Sequence, residues 1–226
     1  MQFLSCLTLS NSKLKQLGVY PIVSRAEDLL PLFEAGVTTA QIRVKDLFGD
    51  ELFAELKQAD YLAKQFSVRL FINDYWQIAI ELNAYGVHLG QEDLGVADLV
   101  AIEQAGLRLG ISTHNLTEIS QIDKILSIQP SYIAIGAIYS TQSKKIATPT
   151  VGLKNLKKWT RHVNLPVVAI GGINSDNIQQ VISCGVSGVA MIEGIYVKNS
   201  PLAETIFQFQ QYFKSVSRET NKRFKT

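Results

Sequence analysis

The chain has 226 residues, 46% of them hydrophobic and 19% charged, with a formal net charge of +2. That length supports one large core, and so weak a charge argues against a nucleic-acid or membrane-surface partner. Two cysteines, Cys6 and Cys184, are too few and too far apart for a disulfide framework, and Cys184, in an apolar helical context, reads as a buried reduced thiol.

Residues 1–17 precede the first apolar run and read as an N-terminal extension, with a short helix closing the bottom of the molecule. No basic segment leads into an apolar core there, so no signal peptide is expected. Apolar stretches are short and interrupted by Gly, Pro or charge, so no membrane span is expected and the chain reads as cytoplasmic. From 18 to 217, β-branched apolar runs alternate with segments whose apolar residues recur every three or four positions. In chain order the strand–helix pairs are 18–24 with 28–35, 38–44 with 50–66, 69–73 with 76–83, and 86–90 with 97–105. The remaining pairs are 108–112 with 117–127, 132–137 with 153–162, 166–171 with 175–183, and 188–192 with 201–217. The strands are nearly continuous Val, Ile and Leu, which implies a parallel sheet buried on both faces. Ala35-Gly36, Ala105-Gly106 and Cys184-Gly185 suit left-handed caps at helix ends. Eight such units in about 220 residues predict an α/β fold, a single-domain (β/α)8 TIM barrel. A doubly wound open sheet is the alternative, disfavoured because no Gly-x-Gly-x-x-Gly turn follows the first strand. Residues 218–226, with Arg218, Lys222, Arg223 and Lys225, read as a basic, solvated and disordered tail.

Chemistry-bearing residues collect at the C-terminal ends of these strands, where barrels of this kind carry their active sites. They are Gln41, Arg43 and Lys45; Asn73 and Asp74; Gln91, Glu92 and Asp93; Ser112, Thr113 and His114; Thr141, Ser143 and Lys144; Gly171 and Gly172; Glu193 and Gly194. The opposite ends are mostly Gly, Pro, Thr and Ala. Asp74 and Asp93 end consecutive strands, and paired strands lie ~4.8 Å apart. Two carboxylates that near repel unless a cation lies between them, and a hard ion such as Mg²⁺, which also takes substrate phosphate oxygens, answers that repulsion.

Strand alternation puts Gln41, Arg43 and Lys45 on one face. Two inward cations call either for an ion pair with Asp74 or Asp93, or for a phosphate held by an Arg fork and a Lys point charge. Lys144, arriving from another loop, favours the anion. Thr141-Gln142-Ser143-Lys144 reads as a surface loop or as a lid whose hydroxyls and lysine close on a pyrophosphate. Gly171-Gly172 suits either a tight packing turn or a phosphate site at a helix start. His162 is expected on a helix surface, His88 as a packed, hydrogen-bonded core residue, and His114 as a substrate contact. Their spacing gives no zinc signature.

Six stretches together resemble thiamine-phosphate synthase: Gln41-Ile-Arg-Val-Lys45, Phe71-Ile-Asn-Asp74, Gly86-Val-His-Leu-Gly-Gln-Glu-Asp93, Gly110-Ile-Ser-Thr-His114, Thr141-Gln-Ser-Lys144 and Ala169-Ile-Gly-Gly-Ile173. The likeness runs in order from about Gly18 to Ile195, each block on a predicted strand end. Phe71-Ile-Asn-Asp-Tyr-Trp76 and Ala84-Tyr-Gly86 look like the enterobacterial type. The resemblance implies a Mg²⁺-dependent union of two small-molecule substrates. One is 4-amino-2-methyl-5-hydroxymethylpyrimidine diphosphate; the other is a thiazole ethyl phosphate, with or without a carboxylate. The products are thiamine phosphate and pyrophosphate.

By position it implies that Asp74 and Asp93 hold Mg²⁺ and that Arg43, Lys45, Asn73 and Lys144 bind the pyrophosphate. Gln41 would contact the pyrimidine, and Ser112 would sit beside the reacting pyrimidine and its leaving group. Thr141, Ser143, Gly171 or Gly172, and the backbone around Ile192 and Glu193 would bind the thiazole phosphate. Ser112, Lys144 and Arg43 are the expected catalytic groups, in a dissociative substitution that needs no protein nucleophile. Two positions depart from the family. Ser143 replaces the usual Thr, and Glu193 stands where a Ser is usual. Rival readings are a thiazole tautomerase of the same fold, a Schiff-base aldolase using Lys45, and a non-catalytic phosphometabolite-binding regulator. A homo-oligomer is compatible with all of them.

Overall fold

The computed structural model describes residues 1–6, 16–124, 128–141 and 149–223. Eight parallel strands close into one barrel in sequence order: β1 (Gly18–Val23), β2 (Thr39–Ile42), β3 (Arg69–Asn73), β4 (Gly86–Leu89), β5 (Arg108–Thr113), β6 (Tyr132–Ile135), β7 (Val167–Ile170) and β8 (Gly188–Met191). β8 pairs with β1, Gly18 opposite Gly188, and completes the ring. The helices are α1 (Leu29–Glu34), α2 (Gly49–Gln65), α3 (Trp76–Glu81), α4 (Leu99–Gln104), α5 (Leu116–Lys124), α6 (Gly152–Thr160), α7 (Ile178–Ile182) and α8 (Leu202–Arg223). The expected (β/α)8 architecture is therefore the observed one.

Alternation along each strand divides the apolar residues into two cores. One fills the barrel interior with Tyr20, Ile22, Phe71, Tyr132, Ala134, Val168 and Ala190. The larger one lies between barrel and helices and takes the other strand face, for example Val19, Ala40, Ile42, Leu70 and Ile72. Helix α2 shows how a helix joins it. Leu52, Leu56, Ala59 and Ala63 recur at helical spacing and are buried. Each such leucine contributes roughly 1.5–3 kcal/mol on burial. Inside the barrel, three aromatic rings fit because two strands present glycine to them. A Cβ on Gly86 would lie 2.7 Å from the Phe71 ring, and one on Gly110 would lie 2.2 Å from the Tyr132 ring.

Of the N-terminal extension, residues 7–15 lie outside the described residues, and with them most of the expected short helix. No helix forms among the described residues of the N-terminal extension. Residues 1–6 run along the bottom of the barrel, with Gln2 bridged to Gln129 in parallel. The Arg69 guanidinium donates to the Cys6 carbonyl at 3.2 Å, and the Ser131 hydroxyl donates to the Leu4 carbonyl at 2.6 Å. These donors from other elements occupy carbonyls that a helix would have used, and hold the segment extended. At the other end, α8 runs through Arg223, so of the tail expected to be disordered, 218–223 is helical, and 224–226 lies outside the described residues. No Gly or Pro in that stretch breaks the helix. Several elements are shorter than predicted, as β2 stops at Ile42 and α7 covers only Ile178–Ile182. Among the described residues no helix is long and apolar enough to cross a membrane.

Candidate active site

A cavity of about 910 Å³ opens at the C-terminal ends of the strands. Every expected site residue among the described ones lines it: Gln41, Arg43, Lys45, Asn73, Asp74, Asp93, Ser112, His114, Thr141, Gly171, Gly172, Ile192 and Glu193. Ser143 and Lys144 lie outside the described residues. Interior strand residues Tyr20, Ile22, His88, Tyr132 and Ala190 form its floor.

The basic side is built by β2 and the residues after it. Gln41, Arg43 and Lys45 face the cavity while Ile42 and Val44 are fully buried behind them, so the alternation continues past the strand end. Lys45 Nζ contacts the Asp74 carboxylate, one of the two pairings the sequence left open. Among the described residues no carboxylate pairs with Arg43, which leaves its guanidinium available for a ligand anion.

The acidic side comes from β3 and β4. Asp74 caps β3 with a φ of 65°, a left-handed conformation that Asp tolerates better than most residues, and its N–H donates to the His88 carbonyl at 3.0 Å. That bond ties the β3 end to β4 and turns the carboxylate into the mouth. Asp93 begins a short 3-10 turn after β4, and its Oδ2 accepts from Gly90 N–H at 3.1 Å. Partial burial and then the charge of Asp74 hold the Asp93 carboxyl above its usual range. Two carboxyls crowded in this way are a suitable half-shell for a hard divalent cation. Among the described residues no cluster of three or more His, Cys, Asp or Glu is present, so such an ion would need oxygens from substrate or water.

Ser112, on the inward face of β5, lies with its Oγ 2.8 Å from His88 Nε2. His114 follows at the β5 end and is held by the start of α5. The Glu118 carboxylate accepts from the His114 N–H at 2.7 Å and lies 3.1 Å from its Nδ1, while Asn115 Oδ1 accepts from Glu118 N–H at 2.9 Å. This reciprocal capping pattern fixes the histidine at the rim.

On the far side, the turn after β7 passes against the segment after β6. Gly171 and Gly172 have φ values of 100° and 65°, and a Cβ on Gly172 would lie 2.5 Å from the Ser140 carbonyl oxygen. The 3-10 turn after β8, Glu193–Ile195, is pressed still more closely onto the turn after β7: a Cβ on Gly194 would lie 1.9 Å from the Ile173 carbonyl oxygen. Gly172 and Gly194 thereby let the segments after β6, β7 and β8 pack directly on one another. Glu193 and Ile192 are exposed on this rim, joined by Asp176, Tyr196 and Lys198, which the sequence reading did not single out.

The cavity floor carries groups that no sequence motif marks. Tyr20 and Tyr132 sit within apolar strands and count there as hydrophobic. Their hydroxyls meet at 2.8 Å, and Tyr132 OH lies 2.7 Å from His88 Nδ1. His88 is packed and hydrogen-bonded as expected, and it is also a wall of the site. The available signal was parity: Tyr20, His88, Ser112 and Tyr132 all occupy inward strand positions.

A closed parallel barrel with acidic, basic and hydroxyl groups converging at its C-terminal mouth defines a (β/α)8-barrel enzyme. Residues 19–195 match the family described as thiamine monophosphate synthase. The chain is 47% identical over 184 residues to the thiamine-phosphate synthase of Serratia proteamaculans (strain 568), a match covering 80% of this chain and 84% of that one. It is 47% identical over 182 residues to the thiamine-phosphate synthase of Proteus mirabilis (strain HI4320), covering 80% and 83%. Among solved structures, the thiamine phosphate pyrophosphorylase of Pyrococcus furiosus aligns with a TM-score of 0.75 at 29% identity, over 88% of this chain and 96% of that one. The chain belongs to the thiamine-phosphate synthase family.

Proposed function

We propose that this chain is a transferase of thiamine biosynthesis. It joins 4-amino-2-methyl-5-hydroxymethylpyrimidine diphosphate to a thiazole ethyl phosphate and releases pyrophosphate and thiamine phosphate. The observation that carries the reading is the arrangement of Arg43, Lys45, Asp74, Asp93 and Ser112 around one cavity, in a chain of this family. That set suits a reaction in which a diphosphate departs.

Breaking the bond from the pyrimidine methylene carbon to the diphosphate puts negative charge on the leaving group and positive charge on the ring. Arg43 and Lys45 are fixed cations at the mouth and stabilise the departing anion. Asp74 and Asp93 would hold Mg²⁺, which supplies further neutralisation of the pyrophosphate when bound. Gln41, buried at the cavity floor, orients the pyrimidine, whose amino group feeds electron density to the cationic carbon. The Ser112 hydroxyl stands beside the breaking bond. The rim loops after β7 and β8 hold the thiazole phosphate so that its ring nitrogen attacks the carbon, and no protein nucleophile takes part. Buried free cysteines at positions 6 and 184 accord with a reducing, cytoplasmic location.

Pyrophosphate release on mixing the purified protein with both precursors and Mg²⁺ tests this. Release that stops when any of the three is omitted is expected. Release independent of the thiazole phosphate, or none at all, would overturn the reading.

A further inference from the structure

A chain of hydrogen bonds runs through the cavity floor from Gln41 to Ser112, by way of residues that no step above uses. Gln41 Nε2 donates to Tyr20 OH at 3.5 Å. Tyr20 OH meets Tyr132 OH at 2.8 Å, Tyr132 OH meets His88 Nδ1 at 2.7 Å, and His88 Nε2 meets Ser112 Oγ at 2.8 Å. Tyr20, Tyr132, His88 and Gln41 are all at least nine-tenths buried. The rings are locked as well: Tyr132 packs edge-on to Phe71 and Tyr20 and stacks on His88, with the glycines at 86 and 110 making room.

The geometry points to a polarised relay in which Tyr20, Tyr132 and His88 are positioning residues that aim the Ser112 hydroxyl proton into the cavity. The polarity follows from counting protons. Each phenol has a single hydrogen to give. Tyr20 accepts from Gln41, whose NH2 cannot accept in return, so the buried Tyr20 hydrogen is satisfied by donating to Tyr132 OH. Tyr132 then donates to His88 Nδ1, which must be the bare nitrogen. The hydrogen bond at one imidazole nitrogen sets the tautomer, so Nε2 carries the proton and donates to Ser112 Oγ. With that lone pair occupied, the Ser112 hydrogen points elsewhere, toward the space for the leaving group. A reversal of the Gln41 amide would reverse every link, turning the Ser112 proton back onto His88. The group that reads the pyrimidine is thereby coupled to the group beside the breaking bond, four hydrogen bonds away.

This inference rests on the proposed transferase reading, but part of its test does not need activity. The chain has three histidines, so nitrogen-15 NMR of the full-length protein resolves the tautomer of His88. A bare Nδ1 and a protonated Nε2 are expected, and a protonated Nδ1 would overturn the polarity whatever reaction is catalysed.

The kinetic half uses a double-mutant cycle. Tyr132→Phe keeps the ring and cuts the relay. It should lower kcat about tenfold, less than the loss of a whole stabilising donor, with KM for both substrates within twofold of the parent. In a Ser112→Ala background the same substitution should have no further effect. Independent, multiplying losses would show that Tyr132 serves only as structure and would overturn the relay. Tyr20→Phe cuts the chain one link earlier and gives the same comparison if the Tyr132 variant does not fold. A parent protein inactive with both precursors would sink the transferase reading and leave the tautomer result standing.

Discussion

Gly110 of β5 faces Tyr132 of β6 so closely that a Cβ on the glycine would lie 2.2 Å from the phenol ring. The missing side chain is what lets a tyrosine stand inside the barrel and reach His88. Gly110→Ala must push the ring or the backbone aside. A destabilisation of about 3 kcal/mol is expected, at the upper end of ordinary overpacking. Urea unfolding would measure it, and kcat should fall with it because Tyr132 moves away from His88.

Asp93 illustrates a candidate site residue that works against stability. Burial and the Asp74 charge raise its carboxyl above the usual range. A group whose folded pKa lies above its unfolded value gives stability that is fully present below the unfolded pKa, about 3.9, and lost as pH rises through the folded one. Asp93→Asn removes that loss. The variant should therefore melt higher than the parent at pH 7, by about 1–2 °C because solvent screens the half-exposed pair, and equally at acidic pH. Mg²⁺ should raise the melting temperature of the parent and leave the variant unchanged. Thermal scans with and without Mg²⁺ at both pH values would decide.

Arg43 differs from Lys45 in having no carboxylate partner among the described residues. Arg43→Gln should raise KM for the pyrimidine diphosphate by about 10- to 100-fold through loss of a charge-assisted fork. Its stability should stay within about 0.5 kcal/mol of the parent. Arg43→Lys should recover only part of the binding, since a point charge cannot reproduce two parallel bonds. Steady-state kinetics with the second substrate saturating would check both.

Glu193 is exposed on the rim that the thiazole phosphate would approach. Its carboxylate repels a phosphate by on the order of 1 kcal/mol at such a site. Glu193→Ser is expected to lower KM for the thiazole phosphate by about fivefold and leave that for the pyrimidine diphosphate alone. An unchanged KM would mean that the side chain lies away from the phosphate.

The barrel was legible because buried parallel strands leave long Val/Ile/Leu runs that no other local pattern imitates. The expected site residues were legible for a related reason. Asp74, Asp93 and Arg43 interrupt those runs at one end only, and the structure gathers them at one mouth. What escaped were groups whose role depends on partners far along the chain. Tyr20 and Tyr132 are 112 residues apart, and neither looks polar in its strand. Within residues 1–6, the Leu4 and Cys6 carbonyls are taken by Ser131 and Arg69, partners far along the chain that no local pattern announces. Residues 218 to 223 looked frayed because charge was weighed above helix propensity, yet α8 continues through them.

The most direct test of the central claim is the stoichiometry of the reaction. Thiamine phosphate, identified by mass, would be counted against pyrophosphate released from both precursors with Mg²⁺ present. One thiamine phosphate per pyrophosphate is the predicted result. Pyrophosphate without thiamine phosphate would show hydrolysis in place of transfer, and would contradict the account.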